Sequence, residues 1–317
     1  MSEIELHRKL LGDSARNQAL HAALKRVIKP GESTLVDIGA GTGFISFLAQ
    51  QLGAKHCTLI EYSDTLALAR ELARVNKFSG LSFVQAHSGE IEKPPKADVV
   101  ISETLGNFAL EEGLLETLVD ARRFLAAGGT LIPCGLRQFV SPVFSNRIQN
   151  ELDVWPQVGF DLDLSPAREA ALNNMYVKTL RPADFGGKPN LAREWDRMNF
   201  GAGPDDEQPS SLRRATVSWS DKDCGTKTVY GFALWWQVEL IKGVSLSTSP
   251  FEPPTHWEQV YLPLLDAVRL RKSDTLELNL VSDTRAETGL RVTWQTSVRR
   301  KGKPIQTQQQ DITQGRI

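Results

Sequence analysis

The chain has 317 residues, 41% of them hydrophobic, enough to bury one large core or two ordinary ones. Lys and Arg total 37 and Asp and Glu 38, for a formal net charge of -1, which excludes the global basic field of a nucleic-acid-binding protein. The widely spaced Cys57, Cys134 and Cys224 form no metal pattern and no disulfide framework, as expected of a cytoplasmic protein, and the charged amino terminus and the lack of a long apolar run predict neither a signal peptide nor a membrane span.

Residues 5–28 have a helical rhythm, with Asp13-Ser14 as a break and cap inside it. Ser33 to Ile38 reads as a first strand, followed at once by Gly39-Ala40-Gly41-Thr42-Gly43 and a helix from Phe44 to Leu52. A second strand, His56 to Ile60, ends in Glu61. The glycines lack the G-x-G-x-x-G spacing of dinucleotide-binding loops. Yet strand, glycine loop, helix, strand and acid come in order, and an acid about 20 residues past such glycines suits ribose hydroxyls. The ordinary alternative has Asp37 capping one helix and Glu61 starting the next. A helix from Ser63 to Phe78, a strand from Leu81 to Gln85 and a loop His87-Ser88-Gly89-Glu90 continue the alternation.

Ala97 to Ile101 reads as a buried strand, and Glu112 to Leu125 as an amphipathic helix. Between them Ser102-Glu103-Thr104-Leu105-Gly106-Asn107 forms a loop at the carboxyl end of a strand, where open α/β sheets keep their ligands. A turn through Gly106 brings Glu103 and Glu112 to one point, and paired carboxylates suit a planar guanidinium. The plainer alternative makes Glu112 a first-turn helix acid and Glu103 a solvated loop residue. Gly128 to Ile132 is a fifth strand.

The composition then changes. All seven tryptophans lie at or beyond Trp155, and only Pro30, Pro94 and Pro95 of 16 prolines precede Pro133. The expected division is an α/β domain over 1–137 and a largely β domain over 138–317. Gln138 to Val143 enters the second domain, and Asn146 to Ser165 is a helical insertion. Thr228 to Leu240 is a central strand in which Trp235 and Trp236 face opposite ways, so at most one is expected in a core. Leu276 to Leu280, Leu290 to Ser297 and Ile305 to Gln310 close a barrel-like sheet, and the basic run from Arg299 to Lys303 is expected as a solvated hairpin turn.

The stretch Asp37-x-Gly39-x-Gly41-x-Gly43 with Glu61 resembles the motif of class I S-adenosylmethionine-dependent methyltransferases. Glu103-x-x-Gly106 with Glu112 nine residues after Glu103 resembles the double-glutamate loop of protein arginine methyltransferases. Thr255-His256-Trp257 resembles that family's threonine-histidine-tryptophan loop, and Leu10-Leu11-Gly12-Asp13-Ser14-Ala15-Arg16 its M-L-x-D-x-x-R helix, with leucine for methionine. The matches run in order from about residue 7 to 270. The chain departs from the pattern in lacking the Y-F-x-x-Y lid helix, in Thr104 for tryptophan and Asn107 for tyrosine, and in Ser88-Gly89 where an acid often meets the adenine.

The resemblance implies a Rossmann-like cofactor domain, a β-barrel-like substrate domain and a dimerisation arm over about 145–175, hence a homodimer. It implies S-adenosylmethionine as cofactor, held by Arg16, Asp37, Gly39, Gly41, Gly43, Glu61, Ser88 and Gly89, with Arg16 on its carboxylate. Catalysis falls to Glu103, Glu112, His256 and Asp13. Trp257, against the arginine stem, and Asn107 join the glutamates in binding substrate. No metal, nucleic acid or membrane is expected. The expected substrate is arginine in a protein or peptide. The alternatives are a methyltransferase for free arginine or another small guanidino compound, and a catalytically silent dimeric binding protein. His7, His21, His56 and His87 are assigned no chemistry.

Overall fold

The computed structural model describes residues 3–201, 209–285 and 287–315. Two helices open the chain, α1 (Glu3–Gly12) and α2 (Ser14–Val27). Asp13 between them has an extended backbone, and its Oδ1 accepts the Arg16 N–H at 2.9 Å, satisfying one of the free donors of the first turn of α2.

Five parallel strands follow: β1 (Thr34–Ile38), β2 (His56–Ile60), β3 (Leu81–Val84), β4 (Ala97–Ser102) and β5 (Leu125–Ile132). They carry helices α3 (Phe44–Gln51), α4 (Thr65–Val75) and α5 (Leu114–Ala121) between them. The strand order is β3-β2-β1-β4-β5, so the winding reverses between β1 and β4, where such sheets open a crevice for ligands. Ile38 pairs with Ser102 across that boundary. The glycine loop and the acid loop therefore leave the sheet side by side.

Three boundaries around the acid loop and β5 differ from expectation. The helix after the acid loop starts at Leu114, with Gly113 as a left-handed N-cap (φ +69°). It ends at Ala121 and gives way to a 3-10 turn, Arg122–Phe124, and then to β5, already strand at Leu125 rather than Gly128. Glu112 thus precedes the cap and is no first-turn acid.

The remaining strands are antiparallel. They are β6 (Gly135–Val143), β7 (Tyr176–Lys178), β8 (Arg193–Asn199), β9 (Leu212–Ser220), β10 (Thr228–Ile241), β11 (Val244–Ser247), β12 (Gln259–Arg269), β13 (Asp274–Asp283), β14 (Arg291–Arg300) and β15 (Lys303–Asp311). One sheet has the order β7-β12-β10-β6-β8, with β11 beside β10, and the other β15-β14-β13-β9. The first begins at Gly135, ahead of the expected Gln138, because Gly135 and Leu136 pair with Glu239 and Val238. Helices α6 (Arg147–Leu152) and α7 (Ser165–Leu172) flank the insertion after β6.

Trp235 and Trp236 are both buried, at 6% and 1% exposure, contrary to the expectation that at most one is core. They do face opposite ways, but the sheet is covered on both sides. Trp235 packs with Phe139 and Phe185, while Trp236 joins the cluster of the α/β half. That cluster runs unbroken from Leu20 and Leu24 of α2 to Leu240, Val244 and Leu246 of the β half. The basic run is also less free than expected: Arg299 pairs with Glu277 and Arg300 with Asp274, leaving Lys301-Gly302 as the turn.

Candidate active site

A cavity of about 330 Å³ opens at the winding reversal. Its walls come from α1, Arg16, the glycine loop, the acid loop, Val177 and the loop carrying His256. Gly39, Gly41 and Gly43 all have positive φ. At Gly41 a side chain meets two obstacles. The backbone is left-handed at φ +52°, and an added Cβ would lie 2.8 Å from the His7 ring. Glu61 holds the loop from below, its Oε2 accepting the Gly41 N–H at 2.9 Å and its Oε1 that of Ser63 at 2.9 Å. Asp37 is buried under the loop and accepts the Ser46 hydroxyl at 2.8 Å. Burial pushes its pKa up to about 7, against the hydrogen bonds from Ser46 that favour the charged form.

Glu103 and Glu112 both line the cavity. Glu103 is paired with Arg16, whose Nε donates to Oε2 at 2.6 Å, both side chains being over nine-tenths buried. Arg16, expected on a cofactor carboxylate, thus lies on an acid of the chain itself in this structure. Glu112 stands at the cavity mouth, open to solvent as a residue. Partial burial of its carboxyl, then the charges of Glu103 and Glu111, push its pKa up to about 7. Glu111 is a third acid that the sequence reading did not single out. It fills the space beside Gly106, where a Cβ would overlap its side chain, and its Oε1 accepts the Phe108 N–H at 3.3 Å.

Opposite, the structure brings His256 to Asp13. Its Nδ1 lies 2.8 Å from Asp13 Oδ2, and its backbone N–H donates to the same oxygen at 2.9 Å. Burial alone would raise the Asp13 pKa. The hydrogen bonds from the His256 ring and from the backbone of Arg16 and His256 outweigh it, and the net shift is downward. Trp257, expected to pack on a substrate stem, reaches the cavity wall but is 3% exposed. Its ring lies against those of Trp236 and His256. Asn107 also reaches the wall, and its Nδ2 donates to the Trp257 carbonyl at 2.6 Å.

Ser88 and Gly89 are not brought to this cavity wall. They sit in a 3-10 turn capped by His87 and tied down by Arg123, which donates to the Ser88 and Ile91 carbonyls at 3.0 Å each. His7, set aside in the sequence reading, does reach it, because α1 lies across the glycine loop. Leu10, one turn beyond His7 on α1, lines the cavity with it, but which face of α1 turns to the loop depends on the fold. Among the described residues no group of His, Cys, Asp and Glu is arranged to hold a metal.

Residues 29–160 match the family model described as a methyltransferase domain, and residues 138–297 that described as an arginine methyltransferase oligomerization subdomain. Protein arginine N-methyltransferase 6 of Xenopus tropicalis is 29% identical over 283 residues, covering 86% of this chain and 81% of the relative. The Danio rerio protein of the same name is 27% identical over 289 residues, covering 87% and 81%. In fold, the chain is similar to the Trypanosoma brucei PRMT1 enzyme-prozyme heterotetrameric complex with AdoHcy, with a TM-score of 0.81, 21% identity and 97% and 98% coverage. Arabidopsis thaliana protein arginine methyltransferase 10 gives 0.78, 20%, 96% and 97%. With half of its length matched by the oligomerization subdomain and the order of loops around the cavity described above, the chain belongs to the arginine methyltransferase family.

Proposed function

We propose that this protein is an S-adenosylmethionine-dependent N-methyltransferase acting on the guanidino group of arginine in proteins or peptides. The observation that carries the reading is a charge imbalance at one point. Glu103, Glu111 and Glu112 converge, and Arg16 answers only Glu103 among the described residues. The excess negative charge suits one more guanidinium, which offers donors in a fixed fork.

The cradle fits the cofactor. Gly41 leaves room that a Cβ would fill, Glu61 is fixed at the loop, and Arg16 provides a buried cation. The reading assigns the cofactor to Arg16, Asp37, Gly39, Gly41, Gly43 and Glu61, with Ser88 and Gly89 more distant; Asp37 and Gly43 act from beneath, by shaping the loop. When bound, S-adenosylmethionine supplies an electrophilic methyl group. Glu103 and Glu112 hold the guanidinium, draw its positive charge to one side and aim the free nitrogen, a form of electrostatic and orientational preorganisation. His256, oriented by Asp13, takes the proton released after transfer. Trp257 and Asn107 wall the substrate side.

The proposal includes the division at about residue 137, a cytoplasmic location and a homodimer built through the arm at about 145–175. Val154, Val158, Phe160 and Leu162 of that segment are exposed, Phe160 at 88%. Four exposed apolar side chains within nine residues fit burial against a second copy. Light scattering should find a dimer at micromolar concentration, and a monomer would remove the arm from the reading. Transfer of labelled methyl is measured with an arginine-rich peptide, with free arginine and with no acceptor. Labelling of the peptide is expected. Labelling of free arginine alone would move the substrate class to small guanidino compounds, and cofactor binding with no transfer would leave a silent binding protein.

A further inference from the structure

The loop that joins Glu103 to Glu112 belongs to the α/β half by sequence, packs Leu105, Ala109 and Leu110 into the core of that half, and is tied to the β half by hydrogen bonds and by Phe108. The Leu105 carbonyl accepts the Trp257 Nε1–H at 2.5 Å, and the Gly106 carbonyl accepts the Trp236 Nε1–H at 3.1 Å. Asn107 Nδ2 donates to the Trp257 carbonyl at 2.6 Å. Phe108 is 2% exposed and sits in the core of the β half, its ring stacked on Trp195 at 6.3 Å. Four consecutive residues are thus anchored from across the seam. Trp236 and Trp257 meet edge to face at 4.9 Å, so the two indole donors are themselves held by packing. Within the loop, Gly106 and Ala109 pair as a narrow turn, and Glu111 braces it through Phe108 N–H.

We propose that Trp236 and Asn107 are positioning residues that latch the acid loop to the β half and thereby set the placement of Glu103 and Glu112. Neither acid touches the β half through these hydrogen bonds. The latch acts on the backbone between them. A buried carbonyl bonded to a buried indole has one good geometry, so the loop is fixed in a single arrangement rather than selected by substrate. The proposal rests on the methyl-transfer reading and adds to it a route by which docking of the two halves controls the acid pair.

The test uses the full chain and two variants. Trp236→Phe keeps an aromatic ring in the core, though a smaller one, and removes the N–H, leaving the Gly106 carbonyl without its indole donor. Asn107→Ala removes the second tie from a half-exposed position that leaves the core unaltered. Wild type is assayed first with the peptide acceptor. No transfer by wild type would sink the methyl-transfer reading itself. With wild type active, each variant should lose roughly tenfold to hundredfold in kcat, the penalty of a small misplacement of reacting groups. S-adenosylmethionine affinity should stay within about twofold by calorimetry, since the glycine loop is untouched. The acidic limb of the kcat/KM profile should also move to lower pH, because a loosened loop exposes the Glu112 carboxyl to solvent and lets it draw away from Glu103 and Glu111. A loss of activity through structure alone would lower the folded fraction and leave that limb in place. Unchanged kcat and pH limb in a folded Trp236→Phe and in Asn107→Ala would overturn the latch. So would a kcat loss that tracks lost cofactor affinity in both.

Discussion

Glu103 and Glu112 differ in how much of their charge is already answered. Glu103 is paired with Arg16, while no ion pair reaches Glu112 among the described residues. Across the cavity Glu112 faces Glu103 and Glu111 from its own loop, Arg16 from α2, His7 and Lys9 from α1, and His256 and Glu258 from the β half. A carboxyl pushed up to about 7 is only partly ionised at neutral pH, and only its anion binds a guanidinium well. Activity should therefore fall as pH drops through about 7 in kcat/KM, which reports the free enzyme. The limb in kcat should lie lower, because the bound cation stabilises the carboxylate. Glu103→Gln removes a negative neighbour and frees Arg16, and both effects move the kcat/KM limb to lower pH. Glu103→Gln and Glu112→Gln should each cost about 10²–10³ in turnover, the scale for losing one preorganised contact. Their effects should not add, since both acids act on one group. Near-normal turnover in both single variants would end the acid-pair reading.

The elements were legible where a local pattern decided them. His56–Ile60 follows from an apolar run, and the break at Asp13 from a cap residue between two helical patterns. What the pattern could not carry was the choice of neighbour. The burial of both Trp235 and Trp236 required knowing that α2 covers the far side of β10, and the Arg16–Glu103 pair joins residues 87 apart in sequence. The acid loop and the Thr-His-Trp loop were found by motif, but their mutual hydrogen bonds were not, because backbone carbonyls leave no mark in the sequence. The position of α1 over the glycine loop is another such case, and it shapes a prediction for that loop. Gly41→Val imposes a branched side chain at φ +52° and directs it into the His7 ring. It should abolish S-adenosylmethionine binding while leaving the β half folded. Calorimetry on a folded variant with unchanged affinity would remove the cofactor from this loop.

At the scale of the whole molecule, the site exists only where the halves meet. The α/β half supplies the glycine loop, braced from beneath by Glu61, and both glutamates; His256 and Trp257 arrive from the far side of the seam. One apolar cluster crosses that seam, so docking is held mainly by burial, which is strong but without direction. Asp13 adds direction. It caps α2 through Oδ1 and grips His256 twice through Oδ2, so one carboxylate fixes both the start of a helix and the approach of the opposite loop. Its pKa is held below the ordinary carboxylate value. A depressed folded pKa contributes stability that is present above the unfolded value and lost as pH falls through the folded one. Asp13→Asn keeps the shape and removes that contribution. The stability gap between wild type and variant, read from denaturant unfolding, should thus be full at neutral pH and close on acidification below the ordinary carboxylate range. Activity should fall in Asp13→Asn and in His256→Gln, and the double variant should be little worse than either, because the two side chains act as one unit. Additive losses would separate them into a structural aspartate and an independent histidine. A stability gap that widens toward acid would mean that the carboxylate is held against its preference, and the seam would then owe nothing to its charge.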